Sequence, residues 1–168
     1  MRNSTAQRAI MKLIAFEESD YPQLIDWIDS RELNYLWGGS AYEYPLSYSK
    51  IKRHCSKGAV FPFLVKHKGH SVGFIELYQV TTSEYRVCRV FIANEFRGQG
   101  LAQKMVSLAT QKAQVEFNAN LLTLNVFSHN ESAIKCYENL GFRTTSTQAG
   151  DREFEGKVWE LSTMEKQL

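Results

Sequence analysis

The 168-residue sequence predicts a single domain of the α+β (mixed α/β) class, in which helices flank a central, mostly antiparallel sheet. Three observations lead to this class. Apolar and aromatic residues between 61 and 80 form two strand patterns around a short turn. A strand, a glycine turn, a helix and a buried strand follow between 85 and 127, which is typical of a parallel crossover. The composition, 43% hydrophobic with 10 glycines and 3 prolines, shows no break that would mark a second domain.

The first elements are a short strand and three helical segments. Residues Lys12 to Phe16 are predicted to form the strand, and Ser19 and Asp20 can accept hydrogen bonds from the first turn of the helix that follows. The residues of that helix expected to face inward are Leu24, Ile25, Trp27 and Ile28. A short helix and a loop are expected between residues 31 and 46, and a basic helix from about Ser47 to Cys55.

The next three strands form an antiparallel meander. Phe61 to Lys66 and Ser71 to Val80 are rich in β-branched and aromatic residues, and Lys68-Gly69 between them suits a hairpin turn. A third strand, Tyr85 to Ile92, is expected to pair with the second one across a polar turn.

The C-terminal half alternates helix and strand. Apolar spacing predicts a helix from Leu101 to about Phe117, a buried strand from Leu121 to Phe127, and a helix from Asn130 that ends at Gly141. Two strands are expected in the tail, roughly Arg143 to Thr147 and Lys157 to Ser162, with Gly150-Asp151 in the turn.

Charge and composition disfavour several classes of partner. Twenty basic against 18 acidic side chains give a net charge of +2, far below the excess typical of nucleic-acid-binding proteins. No run reaches the roughly 18 apolar residues of a membrane span, and residues 1–10 lack the apolar stretch of a signal peptide. Cys55, Cys88 and Cys136 lack the spacing of a disulfide framework or a zinc site, which indicates thiols in a reducing cytoplasm.

We therefore expect a cytoplasmic protein that binds no metal, nucleic acid or membrane. Residues 1–10 are expected to form a flexible leader, and residues 11–168 the domain. A homodimer is compatible with the sequence, which does not fix the oligomeric state.

The segment NEFRGQGLAQ, residues 94–103, places two glycines where a strand passes into a helix. The first N–H groups of a helix have no partner within the helix, so this junction favours an anion that can approach the glycine backbone closely. Arg97 adds planar donors, which favours a diphosphate. Gln103 at the third glycine position excludes a dinucleotide fingerprint, and no lysine followed by serine or threonine completes a phosphate loop. The alternative is that Gly98 and Gly100 only permit a sharp turn.

This segment and a later one resemble the GNAT superfamily of acyl-CoA-dependent N-acetyltransferases. The family pattern [RQ]-x-x-G-x-[GA] matches Arg97 to Ala102. A second signature, NESAIKCYENLGF, carries Asn130, Ala133, Tyr137 and Gly141-Phe142. The resemblance covers nearly everything from Met11 onward, and it implies that the strands at 85–92 and 121–127 splay to form a slot.

The resemblance implies acetyl-CoA as the co-substrate. Its pyrophosphate would lie on backbone N–H groups of the glycine turn, and its pantetheine arm would lie along the preceding strand, in the slot. The residues implied in this binding are Val90, Ile92, Arg97, Gly98, Gln99, Gly100, Leu101 and Ala102. Asn130 is implied to hydrogen-bond the arm, with simple capping of its helix as the alternative.

Direct transfer of acetyl from a thioester to an amine needs a neutral amine, a stabilised oxyanion and a proton for the departing thiolate. The resemblance implies that Tyr137 gives this proton as general acid, since a phenol stays protonated at neutral pH. The alternative is a core tyrosine on the apolar face that it shares with Ala133 and Cys136.

The base that accepts the amine proton is open. Many family members carry a glutamate on the strand before the glycine turn, whereas this chain has Arg86 and Arg89 at the polar positions. Glu76 in the neighbouring strand is the candidate, because an acid inside an apolar strand needs a wet cleft or a partner. Glu76 can instead pair with Arg86 or Arg89, and a water chain is a third alternative.

The acceptor is expected to be a small amine or a peptide N-terminus. The segment between Glu17 and Pro45, which walls the acceptor cleft in the family, contains one base, Arg31, among aromatic residues and seven acids: Glu17, Glu18, Asp20, Asp26, Asp29, Glu32 and Glu43. Such a wall would attract a cationic amine, unless the acids form a solvated helix face. A protein N-terminal acetyltransferase and a non-catalytic acyl-CoA-binding sensor are the alternative functions.

Overall fold

Seven strands form one sheet in the computed structural model, which describes residues 10–168. The strands are β1 Lys12–Ala15, β2 Val60–His67, β3 His70–Gln79, β4 Glu84–Ile92, β5 Leu121–Phe127, β6 Arg143–Phe154 and β7 Lys157–Gln167. Their order across the sheet is β1-β2-β3-β4-β5-β7-β6, with β4 and β5 parallel and every other pair antiparallel. The predicted α+β class and mostly antiparallel sheet are confirmed. The expected leader, apart from Ile10, lies outside the described residues.

The helices are α1 Tyr21–Trp27, α2 Arg31–Gly38, α3 Tyr48–Cys55, α4 Leu101–Val115 and α5 Glu131–Asn139. No helix of residues 10–168 is long and apolar enough to cross a membrane. Ser30 and Ser47 begin α2 and α3, each accepting a backbone N–H from the first turn. The capping expected of Asp20 is wrong. Its carboxylate instead accepts a hydrogen bond from the Glu17 N–H at 2.9 Å, within a 3-10 turn. The backbone of Asp20 is already helical, so α1 continues directly from this turn.

Two apolar clusters fix the helices on opposite faces of the sheet. On one face α4 and α5 pack against strand residues such as Leu77 and Leu122. On the other face α1 to α3 pack against Leu64 and Phe74. Each fully buried large side chain stabilises the fold by about 1.5–3 kcal/mol. Both layers therefore hold the central strands β3 and β4 in place from either side.

The sheet divides between β4 and β5. Their parallel register runs from Glu84 opposite Leu121 to Val87 opposite Leu124 and goes no further, although both strands continue. On its other side β4 stays paired with β3, through a register shift that leaves Arg89 with a φ of +52°. The expected splay is confirmed, and it leaves one edge of β4 open after Val87.

The C-terminal strands are longer than expected, and the predicted turn at Gly150-Asp151 is wrong. The turn lies at Glu155-Gly156, where φ is +51° and +78°. Gly150 belongs to β6, where a Cβ atom would come within 2.6 Å of the Trp159 carbonyl oxygen. This glycine allows a close approach of two strands at an irregularity in their register.

Candidate active site

The start of α4 presents unpaired backbone donors. Gly98 and Gly100 have φ values of +77° and +72°, in the left-handed region that favours glycine. No backbone carbonyl within residues 10–168 accepts a hydrogen bond from the N–H groups of residues 98–102. A Cβ atom at either glycine would meet nothing within 4 Å, so there is open space in front of these groups. The arrangement suits an anion rich in oxygen.

Arg97 ties this turn to the end of β4. Its Nε donates to the Ile92 carbonyl oxygen at 3.0 Å, and its guanidinium lies 5.7 Å from the centre of the Phe91 ring. The carbonyl oxygen of Ile92, a residue implied in coenzyme binding, thus already has a donor. These two contacts of Arg97 fix the end of β4 relative to the start of α4.

A cavity of about 950 Å³ runs from the start of α4 through the split to the end of α2. The residues predicted for the site that line it are Val90, Ile92, Arg97, Gly98, Ala102, Asn130 and Tyr137. Gln99, Gly100 and Leu101 do not line it; the Leu101 side chain is buried in the core and that of Gln99 is exposed. The volume is sufficient for a large organic ligand.

Tyr137 lies on the cavity wall and is 8% exposed. Burial raises the pKa of its phenol above the ordinary value, so the hydroxyl keeps its proton at neutral pH. The neighbouring Cys136 also lines the cavity, and burial raises the pKa of its thiol. Asn130 stands before α5, but its side chain caps no backbone N–H of the described helix. Its side-chain oxygen Oδ1 accepts from the Ser132 hydroxyl at 3.4 Å.

Glu76 is fully buried behind the cavity wall. Its Oε2 accepts from Arg89 Nε at 2.6 Å and lies 3.0 Å from His54 Nε2, whereas Oε1 has no hydrogen-bond partner among residues 10–168. Of the two arginines considered as partners, Arg89 makes the ion pair. His54 and Arg89 line the cavity in front of this carboxylate. The sequence gives no spacing that marks His54, since the residue stands alone on a basic helix.

Aromatic rings hold this buried cluster against the sheet. Trp37 Nε1 donates to the Arg89 carbonyl oxygen at 3.0 Å, and its ring stacks on Tyr42 with an interplanar angle of 7°. Burial, with the nearby Glu76 carboxylate, raises the pKa of Cys55 to about 12. Arg89, the residue with the left-handed backbone, is thus held at its carbonyl oxygen by Trp37 and at its side chain by Glu76.

The acidic wall expected from the sequence does not form in the described cavity. None of the seven acids between Glu17 and Pro45 lines it. Glu18, for example, pairs with Lys52 at 3.0 Å and accepts from the Tyr48 hydroxyl on the outer surface. The same segment does wall the cavity, but through apolar side chains such as Leu33, Leu36 and Trp37.

The split sheet and the glycine turn at its open end define the class of the protein as a GNAT fold. The chain belongs to the acetyltransferase (GNAT) family, whose model matches residues 21–142.

Two curated relatives each match part of the chain at 29% identity. The uncharacterized N-acetyltransferase YdgE of Bacillus subtilis matches over 86 residues, which are 49% of this chain and 54% of that protein. The mycothiol acetyltransferase of Corynebacterium aurimucosum matches over 119 residues, 70% of this chain and 32% of that protein. The matches thus span about half of the first relative and a third of the second.

Solved structures share the fold over nearly the whole chain. Spermidine N-acetyltransferase from Vibrio cholerae, in complex with CoA and spermine, superposes with a TM-score of 0.82 at 20% identity, covering 94% of this chain and 95% of that one. Spermidine/spermine N-acetyltransferase SpeG from Vibrio cholerae, in complex with manganese ions, gives a TM-score of 0.76 at 18% identity, with 95% and 94% covered. This likeness establishes the fold.

Proposed function

We propose that the protein transfers the acetyl group of acetyl-CoA to a small amine. The observation that carries the proposal is that one cavity joins three features: unpaired N–H groups at the start of α4, the open edge of β4, and the buried phenol of Tyr137. Family membership supports acyl-CoA as the donor. Spermidine N-acetyltransferases among the fold neighbours support an amine as the acceptor.

The residues present fit coenzyme A. The diphosphate would lie on the N–H groups of residues 98–102, where the helix dipole also favours negative charge. The arm would lie between β4 and β5, against Val90. The Asn130 side chain, which does not cap α5, would be its hydrogen-bond partner. Ala102 lines the same end of the cavity, and its small side chain leaves room for the phosphates.

The transfer proceeds by direct attack within a complex of both substrates. The amine nitrogen attacks the thioester carbonyl carbon, a C–N bond forms, and the C–S bond breaks with its electron pair going to sulfur. Tyr137 gives its proton to that sulfur, and the raised pKa of the phenol keeps this proton available at neutral pH. The proton lost by the amine passes to a base and then to the phenolate through solvent.

For the base we propose that Glu76 acts through His54. A carboxylate oxygen paired with Arg89 can only accept, so His54 donates to Oε2 of Glu76 through Nε2, which leaves Nδ1 as the ring atom for taking up a proton. His54 lines the cavity and is the group that an incoming ammonium can meet. Glu76 in this role orients the ring through the Nε2 hydrogen bond and does not touch the substrate.

Calorimetry with coenzyme A and an assay of acetyl transfer test the function. Tyr137→Phe should keep the affinity for coenzyme A and lose about 10²–10⁴-fold in rate. Tyr48→Phe, on an exposed tyrosine away from the cavity, is the matched control. Binding of coenzyme A without transfer to any amine or peptide would indicate the sensor instead. Transfer to peptide N-termini but not to small amines would indicate the N-terminal acetyltransferase.

A further inference from the structure

Cations outnumber acids on the wall of the cavity. The described lining contains Lys57, Arg86, Arg89 and Arg97 but one carboxylate, Asp151. Arg89 is neutralised by Glu76, and Arg97 lies at the start of α4, where the coenzyme phosphates would be. Asp151 accepts a hydrogen bond from the Ser40 hydroxyl at 2.6 Å. Lys57 and Arg86 therefore remain as positive charges that the coenzyme site does not explain.

Arg86 stands at the point where the sheet divides. It is one residue before Val87, the last residue of β4 that pairs with β5. Tyr85 and Val87 point into the core beneath α4, so the Arg86 side chain lies on the opposite face, which α1 to α3 cover. On this face the cavity is lined by Leu33 and Leu36 of α2, in the segment that the family resemblance implies to wall the acceptor cleft.

The guanidinium of Arg86 lacks a partner. Its Nε is buried and makes no hydrogen bond, and Arg86 takes part in no ion pair within residues 10–168. The Thr123 hydroxyl beside it in the register is also buried without a partner. Tyr78, across from Arg86 on β3, lines the cavity as well. Leaving a buried donor unpaired costs about 1–3 kcal/mol, which a ligand that accepts these hydrogen bonds would recover.

We infer that the acceptor is an amine that also carries a carboxylate, and that Arg86 binds this carboxylate. The inference rests on the proposed transfer to an amine and narrows its substrate class. A planar guanidinium matches a carboxylate through two parallel hydrogen bonds, with the Tyr78 and Lys57 side chains as further donors on the same wall. A polyamine would instead bring more positive charge to a wall that already has an excess of it.

Matched pairs of acceptors test the inference. Phenylalanine against 2-phenylethylamine, and lysine against cadaverine, differ by the carboxylate alone. Steady-state transfer from acetyl-CoA should favour the carboxylate-bearing member of a pair. Arg86→Gln should raise the KM for that member about tenfold to a hundredfold, the loss of a charge-assisted hydrogen bond, with kcat nearly unchanged. Arg86→Lys should restore part of the affinity, and Arg53→Gln, on the exposed side of α3, should change nothing.

Calorimetry on the protein loaded with coenzyme A separates this inference from the proposed function. Selective binding of the amino acids that is lost in Arg86→Gln supports carboxylate recognition. If the same protein transfers no acetyl group, only the transferase proposal is refuted. Transfer to both members of each pair at equal KM, or spermidine as the better acceptor, overturns the inference and leaves the transferase standing. No binding of any of the four probes, or an equal loss for all acceptors in Arg86→Gln, overturns it too.

Discussion

Replacing Gly100 by alanine separates the backbone requirement of the α4 junction from its role in binding. The φ of +72° puts an L-residue in the left-handed region, which costs about 1–2 kcal/mol, and no atom lies within 4 Å of the new Cβ. The cost is therefore conformational and not steric. For a chain of this size it lowers the melting temperature by about 2–8 °C. The strain also shifts the neighbouring N–H groups, and loss of one charge-assisted hydrogen bond weakens coenzyme A binding about tenfold to a hundredfold.

Gly156→Ala is the matched control, because Gly156 has a φ of +78°, equally open surroundings and a place in the β6–β7 turn far along the chain. Thermal unfolding and calorimetry with coenzyme A are measured on both variants. Both should lose similar stability, and only Gly100→Ala should lose affinity. Unchanged affinity in Gly100→Ala, or equal losses of affinity in both, would show that the junction does not hold the coenzyme.

Three further predictions concern the sheet and the buried groups. Gly73→Ala should lower the free energy of unfolding in urea by at least about 1–3 kcal/mol, because its Cβ would overlap the Phe91 carbonyl oxygen. Glu76→Gln should cost about 3–5 kcal/mol in the same experiment, since it leaves a buried guanidinium without its counter-charge; a stability equal to the wild type would argue against that pairing. Cys55 and Cys88 should react with a thiol reagent far more slowly than free cysteine at pH 8, because pKa values raised to about 12 and about 11 leave little thiolate; rapid labelling of either would contradict their burial.

The parts of the fold that the sequence predicts well are those with a strong apolar pattern. The prediction of a strand from Leu121 to Phe127 matches the bounds in the structure. A short apolar run with polar residues on either side is typical of a buried strand. The turn before α4 was located by a different signal. Two glycines close together indicate a backbone in the left-handed region, which both residues adopt. The start of β6 was predicted, but its extension from Thr147 to Phe154 was missed, because nearly all of its side chains are exposed and no alternation marks it.

The candidate site shows where residue patterns stop being informative. The seven acids were expected in the cleft, yet Leu24 of α1 and Ile28 just after it take the core-facing positions, and Asp26 between them is exposed to solvent. The pairing of Arg89 with Glu76 depends on the register shift between β3 and β4, a property of two strands together. A single histidine such as His54 gives no periodic signal, and its place beside Glu76 follows from how α3 packs.

The short seam of four residue pairs between β4 and β5 bears on how the width of the slot is set. Past this seam the two strands share no main-chain bonds within the described residues, and side chains such as Val126 and Cys136, packed against the neighbouring helices, help to set their spacing. Slot width can therefore change through single substitutions that leave the backbone ladder intact.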